Sequence, residues 1–391
     1  MSGDGLRASI VVISDRVDHG HQAGGLRYDT APIGPPPDVT LPTVIGSYLE
    51  RLPLAAVRRG FADFAEIWHH SATDGSYWPD SPHLSRRIFR LADGTAPFHS
   101  DTMVDFIRSY GAPRILCVWG LGVSEALLEA CRDSIIIYNS IDAPALRVPS
   151  EVSRHFDVVL TGAEWQSDAV RARHPNTITS IMPIGPEFAS PDTFFPMGES
   201  KKYDIIYVAA AQAYKRHDVL FDAMARAQRR LTALCVMGYG EDAGALRQRA
   251  SDLGVDVDFI DPPGVPYPEL NRLMNEARVG VVCGVDDGAP AIITEYMLAG
   301  LPVVANAELT CGLHYILPET GIAAPADTFG HAIIAALDHR DQFRPRETVL
   351  ARWAWPHTAA RFELLLADVL RKKPSTLSLQ QGASLEPTAS A

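Results

Sequence analysis

The feature that most constrains this chain lies in its second half, where short β-rich runs alternate with helical patterns from Tyr203 onward. DIIYVAA, TALCVM, VDFI, VGVVC and LPVVAN are strand-like, and HDVLFDAMARAQ, EDAGALRQRASDLG, PELNRLMNEA and PAIITEYMLAG between them are helical in pattern. Strands that are apolar on both faces must be covered on both sides, and a helix-length connection suits a crossover between parallel neighbours. Together these facts predict a doubly wound α/β domain with a parallel sheet.

The first half repeats the logic, with strand candidates at 8–14, 114–119, 134–138, 157–161 and 178–182 and helical patterns at 43–59, 124–132 and 164–173. A second α/β lobe is expected there. Pro, Gly, Asp and aromatic residues dominate 30–43 and 71–100 without a sustained period, so both segments read as loops or insertions. The stretch 183–200, rich in Pro, Gly and Ser, reads as the linker between lobes. The expected division is a Rossmann-like domain over 1–190 and a second over 191–350, with a crevice facing the C-terminal ends of both sheets. The low-complexity stretch 373–391 is expected to be disordered.

Composition narrows the partners. A length of 391 residues exceeds what one core organises, and the apolar runs at 9–14 and 279–283 are too short to span a bilayer. A net charge of -12 leaves no electrostatic footprint for nucleic acid, and no basic stripe suits an anionic membrane. MSGDGLRASI lacks the regions of a secretory signal, and the five scattered cysteines form no CxxC, so a cytoplasmic protein with reduced, buried thiols is expected.

The segment DDGAPAIITEYMLAGLPVVA carries the most chemistry. Pro290 suits a first helical position, Gly300 ends the last turn and Pro302 opens the next strand, which gives an expected helix over 290–299. Projected at 100° per residue, that helix is apolar or small nearly all round, with only Thr294 and Glu295 polar, so it is buried. A buried carboxylate needs partners: two neighbouring sugar hydroxyls would satisfy Glu295, and so would a cation in a structural salt bridge. The amides at the helix start, near Gly288, Ala289 and Pro290, form a site for an anion such as a diphosphate. Lys215 and Arg216, in AQAYKRHDVLFDAM, follow the strand YVAA at the edge where ligands bind in open α/β sheets. A cation there can neutralise charge on a departing phosphate, or can be a solvated loop residue.

Taken together, these residues resemble the GT-B superfamily, in particular the retaining glycosyltransferase family 4, over about 157–370. The matching elements are KRHDVL at the lysine loop, VMGYGEDAGALRQRA at a glycine turn after a strand, and DGAPAIITEYMLAGLPVVA at the signature helix. The resemblance implies two Rossmann-like domains facing a cleft, with a nucleotide diphosphate sugar held mainly by the second. It implies that Lys215 contacts the diphosphate, that the backbone of Gly288, Ala289 and Pro290 faces phosphates and sugar, and that Asp287 touches sugar hydroxyls. Glu295 would hold the ribose, and ARWAWPHTAARFELLLADVL looks like C-terminal helices, at 351–372, that cross back to the first domain. Lys215 and Asp287 are the expected catalytic residues.

This chain departs from the family twice. Asp287 stands where a Glu is usual, shorter by one C–C bond of about 1.5 Å. Ala210 stands where an Arg is usual, and Arg216 is the candidate substitute. In the first domain, Gly24 and Gly25 of DHGHQAGGLRYD resemble the family's Gly-Gly turn, while Asn139, Ser140 and Asp142 of YNSIDAPALR occupy the neighbourhood of a sugar-contacting His. Asp18, His19 and His21 have no third ligand at recognised spacing, so no metal site is read.

The expected activity is a metal-independent, cofactor-free retaining transfer of a hexosyl group to an acceptor hydroxyl, on a small natural product or saccharide. The expected donor is a UDP-sugar, with GDP- or dTDP-sugars next. Alternatives are a sugar-nucleotide epimerase of the same fold, a non-catalytic sugar-nucleotide-binding subunit, and a metal-dependent GT-A transferase using Asp256 and Asp258 or Asp286 and Asp287.

Overall fold

The computed structural model describes residues 5–18, 26–29, 31, 33–35, 47–72, 75–354 and 357–373. The first sheet is built from β1 (Ser9–Asp18), β2 (Leu26–Arg27), β3 (Phe64–Ser71), β4 (Ser76–Ser81), β5 (Leu84–Arg90), β6 (Ile115–Trp119), β7 (Ile135–Asn139), β8 (Val158–Thr161) and β9 (Ile178–Ile181). Their spatial order is β2-β4-β5-β3-β1-β6-β7-β8-β9, parallel except where β4 runs against β5 and β2. The second sheet comprises β10 (Tyr203–Val208), β11 (Thr232–Val236), β12 (Asp256–Ile260), β13 (Ala277–Val282), β14 (Val303–Asn306) and β15 (Gly321–Ala324). It is wholly parallel, in the order β12-β11-β10-β13-β14-β15. That order reverses between β10 and β13, which opens a crevice beyond their carboxyl ends.

The doubly wound α/β architecture expected from the strand–helix alternation is present in both halves. No strand was expected over Phe64–Ser71, which forms β3, and 71–100, expected as loops, contains the antiparallel pair β4 and β5 toward the sheet edge. Charge hides these strands from a hydrophobicity reading. On β5 the Arg87 guanidinium is fully buried, donating to Glu66 of β3 through Nε (2.7 Å) and Nη2 (3.0 Å) and to Tyr28 O through Nη1 (2.6 Å). Trp68 Nε1 donates to the same carboxylate at 2.7 Å. The pair is tolerable in the core because its polar atoms find partners there.

The helix His357–Lys372 lies on the first domain rather than the second. Its Phe362, Leu365, Leu366 and Val369 join the core formed by Ile10, Val12, Ala65, Ile67 and Ile115, and Arg361 Nη2 donates to Ile181 O at 2.8 Å. Lys373, assigned to a tail by composition, is held by Ser134 O at 2.9 Å and Asp157 Oδ2 at 3.1 Å. Residues 374–391 lie outside the described residues.

Glu187, 1% exposed, anchors this return of the chain by accepting from Arg361 Nη1 (2.8 Å), Thr358 Oγ1 (3.1 Å) and Tyr315 OH (3.3 Å). Burial outweighs these contacts and raises its carboxyl from 4.5 to about 7. The folded state therefore holds a proton that the unfolded chain has lost. This contribution is fully present below pH 4.5 and fades as pH rises to about 7, a change of about 3 kcal/mol. Glu187→Gln is expected to flatten this part of the stability profile in urea titrations at pH 5, 6 and 7; an unchanged slope would refute the assignment.

Candidate active site

The crevice between β10 and β13 brings Lys215 and Asp287 together. Lys215 ends the short turn Ala213–Lys215 after β10, and Arg216 follows it with φ 52°. The buried Tyr207 hydroxyl donates to Lys215 O at 2.5 Å and fixes this turn against the strand. Asp287 follows β13, and its Oδ2 is ion-paired with Lys215 Nζ. The two side chains are 17% and 14% exposed, so the pair is shielded yet reachable. Asp287 Oδ1 accepts from Ala289 N at 3.4 Å. His217 adds no cation: burial, and then Lys215, lowers its pKa from 6.5 to about 4.

Arg216 does not join this pair. Its guanidinium faces Asp218, with Nε at 3.0 Å and Nη2 at 2.9 Å. Ala210 is buried, so no arginine reaches the crevice from that position.

The signature helix is shorter than expected, Ile292–Leu298, with Pro290 ahead of it rather than in its first turn. Its placement rests on Tyr296, whose hydroxyl accepts from Val208 N at 2.7 Å and donates to Ile206 O at 3.3 Å on β10. The ring lies over Gly280 of β13, where a Cβ would sit 2.4 Å from Tyr296 Cδ2. The amides expected at the helix start are partly used: Ala291 N donates to the Tyr48 hydroxyl at 3.3 Å, and that hydroxyl donates to Ala289 O at 3.4 Å.

Tyr48 belongs to the first-domain helix Tyr48–Arg58, which also supplies the partner of Glu295. Arg51 Nη2 donates to Glu295 Oε1 at 2.5 Å and Nη1 to Gly185 O at 2.6 Å. The two side chains are 1% and 6% exposed. Of the two environments open to Glu295, the cation is the one present here. Sequence reasoning missed Arg51, although a signal existed. Ser47 and Glu50 form the start of a helix, with Ser47 N donating to Glu50 Oε2 at 2.8 Å. A cation immediately after, near the positive end of the helix dipole, is locally unfavourable and implies a counter-charge elsewhere.

Asn139 ends β7, with Ser140 and Asp142 just beyond, on the side facing the second domain. Contact there is backbone to backbone: a Cβ on Gly288 would lie 2.2 Å from Asp142 O, and one on Gly162 would lie 2.1 Å from Gly288 O. Only glycine permits this approach. Asp142 Oδ2 is paired with Arg147 Nη1 at 3.2 Å. Asn139 Oδ1 accepts from Ile184 N at 3.2 Å, while Asn139 Nδ2, Ser140 Oγ and Trp119 Nε1 are buried without hydrogen-bond partners among the described residues. Trp119, the last residue of β6, was also missed, though a polar-tipped residue at a carboxyl strand edge could have marked it. Gly24, Gly25, His19 and His21 lie outside the described residues.

Among the described residues, Glu125, Glu129 and His155 bring ligand-type atoms within 4.8 Å of one another, but Glu125 is already engaged by Arg154 and by His155 at 3.1 Å. Asp256 pairs with Arg230 at 2.9 Å, and Asp258 accepts from the Tyr203 hydroxyl at 2.7 Å, both on edge strand β12. No helix among the described residues is long and apolar enough to cross a membrane.

Residues 202–339 match the family described as Glycosyl transferases group 1. No curated protein matches the chain in sequence. Sucrose-phosphate synthase (tll1590) from Thermosynechococcus elongatus superposes with a TM-score of 0.64 at 18% identity, covering 94% of this chain and 100% of that one. Anabaena Alr3699/HepE, solved with UDP and glucose, gives 0.62 at 11% identity over 92% of this chain and 100% of its own. The lipopolysaccharide outer core galactosyltransferase WaaB gives 0.60 at 12% identity over 93% and 99%. The chain thus has the two-domain GT-B fold of these structures, and residues 202–339 within it match the model of the glycosyl transferases group 1.

Proposed function

We propose that this protein is a retaining hexosyltransferase that moves a sugar from a nucleotide diphosphate donor, a UDP-sugar first, to a hydroxyl of a small natural product or saccharide. The carrying observation is the Lys215–Asp287 pair at the β10/β13 switch point, opposite the Asn139–Asp142 edge of the first domain. In this reading Lys215 stabilises the leaving diphosphate and Asp287 orients the sugar hydroxyls, with the backbone at Gly288, Ala289 and Pro290 beside them. Glu295 holds the ribose, for which Arg51 must yield or share the carboxylate. Asn139, Ser140 and Asp142, with the Gly24–Gly25 turn, serve the donor sugar and acceptor from the first domain. The acceptor hydroxyl loses its proton to the leaving phosphate on the same face, so no separate base is required. Neither a metal ion nor a cofactor takes part, and the protein works in the cytoplasm. HepE was solved with UDP and glucose, which favours UDP as the first nucleotide to try.

The test begins with a thermal-shift screen of nucleoside diphosphates and their sugars, since a ligand of the folded state raises the midpoint. NMR of the anomeric proton in the product is then expected to show the configuration of the donor. Asp287→Asn is expected to impair transfer while sparing diphosphate binding. An inverted product, or turnover abolished by EDTA and restored by manganese, would sink this reading.

A further inference from the structure

A cavity of about 410 Å³ opens on the second domain, lined by Gly300, Pro302, Arg340, Asp341, Phe343 and Arg344. Pro302 precedes β14, and the neighbouring Lys201 precedes β10, so the cavity lies at the amino ends of the strands. Lys215 and Asp287 sit beyond the carboxyl ends. A strand the length of β10 separates the two edges by about 20 Å. The cavity is therefore distinct from the crevice described above.

Its polar lining is cationic and short of partners. The half-buried Arg340 side chain makes no hydrogen bond or ion pair among the described residues, although the exposed Asp341 carboxylate nearby attracts it. Arg344 Nη1 donates to Asp341 O at 2.5 Å and Phe343 O at 2.8 Å, which orients its guanidinium. Its Nε and Nη2 make no hydrogen bond among the described residues. Two further cations crowd this edge: Arg278, 3.7 Å from Asp204, and Lys201, whose ammonium donates to Asn275 O at 2.6 Å. Burial, then Arg340 and Arg278, lowers Lys201 from 10.5 to about 8. The helix Pro345–Arg352 begins at the same wall, and among the described residues the amides of Arg346 and Glu347 in its first turn have no backbone acceptor.

In a protein of net charge -12, gathering like charges around an unpaired, half-buried guanidinium costs stability unless an anion neutralises them. Guanidinium groups match phosphate oxygens in geometry as well as charge. The volume lies within the range of small-molecule sites, and Phe343 with Pro302 offers an apolar wall. A concave site on an acidic protein does not suit nucleic acid or a membrane.

We infer that this cavity binds a small phosphate monoester, with Arg340 and Arg344 holding the phosphate and Phe343 contacting the organic part. Calorimetry of the full chain with inorganic phosphate and with glycerol phosphate, at constant ionic strength in chloride, tests it. Both are expected to bind, the ester more tightly. Arg340→Ala/Arg344→Ala is expected to weaken both at least tenfold, and Arg340→Gln, which keeps the side-chain bulk, to weaken them in the same direction. Lys215→Ala is expected to leave this binding intact, which separates the cavity from the crevice. Absence of binding at millimolar concentration, binding indifferent to the arginine variants, or binding lost with Lys215→Ala would each overturn the inference.

Discussion

Replacing Lys215 by alanine is expected to lower kcat/KM for the donor by about a hundredfold or more, the scale on which a preorganised electrostatic contact to a transition state acts. The ion pair with Asp287 sharpens the expectation. Without the ammonium, the same position holds an uncompensated carboxylate, which repels the diphosphate it is meant to receive. The loss is therefore expected in kcat as well as in KM. The melting temperature is expected to fall as well, because the pair is largely shielded and the carboxylate is left without its partner. Steady-state kinetics with varied donor, read beside the melting temperature, check this. A kinetically silent variant would place the phosphate site elsewhere.

The second large effect is expected at Arg51. Its pairing with Glu295 is buried on both sides and spans the two domains, and removing one partner of such a pair typically costs about 3–5 kcal/mol because a charge is left without compensation. Arg51→Ala and Glu295→Ala are each expected to lower the melting temperature. Arg51→Met/Glu295→Leu, which removes both charges and keeps volume, is expected to recover most of the loss. The double variant also separates the two roles of Glu295. If the carboxylate binds ribose, this stable protein loses donor affinity. If its role is the interdomain pair alone, donor affinity survives, and the ribose assignment falls.

How much was legible in the sequence follows a physical rule. The second domain could be read almost strand by strand because β10, β11, β13 and β14 are apolar on both faces, as a covered parallel sheet demands. Lys215 and Glu295 could be singled out because one follows an apolar strand at a sheet edge and the other interrupts a buried helix, whereas Asp287 was marked only by the resemblance to a family signature. β3 and β5 were not, since Glu66 and Arg87 neutralise each other across the strands. A single-strand pattern cannot show a partner twenty-one residues away. The same blindness concealed Arg51, whose counter-charge lies 244 residues on. It also left Glu295 with two readings, because a buried carboxylate announces a need and not what meets it. The helix start at Pro290 was misplaced for a related reason: its amides are met by Tyr48 of the other domain, so local capping rules had no purchase.

The helix His357–Lys372 has a consequence for how the protein is made. It completes the core under β1, β3 and β6, although those strands belong to the domain synthesised first. At about 5–20 residues per second, roughly 10–40 s separate the emergence of the first domain from that of its last packing element. During that interval the apolar face containing Ile10, Val12, Ala65 and Ile67 is covered by Leu52 and Ala56 of the helix Tyr48–Arg58 but lacks Phe362, Leu365, Leu366 and Val369. The second domain, whose sheet lies between the two, can complete its strands in the meantime. The first domain's core is thus completed only after the second domain has been synthesised, and a ribosome that stops early releases a protein whose older half lacks part of its packing.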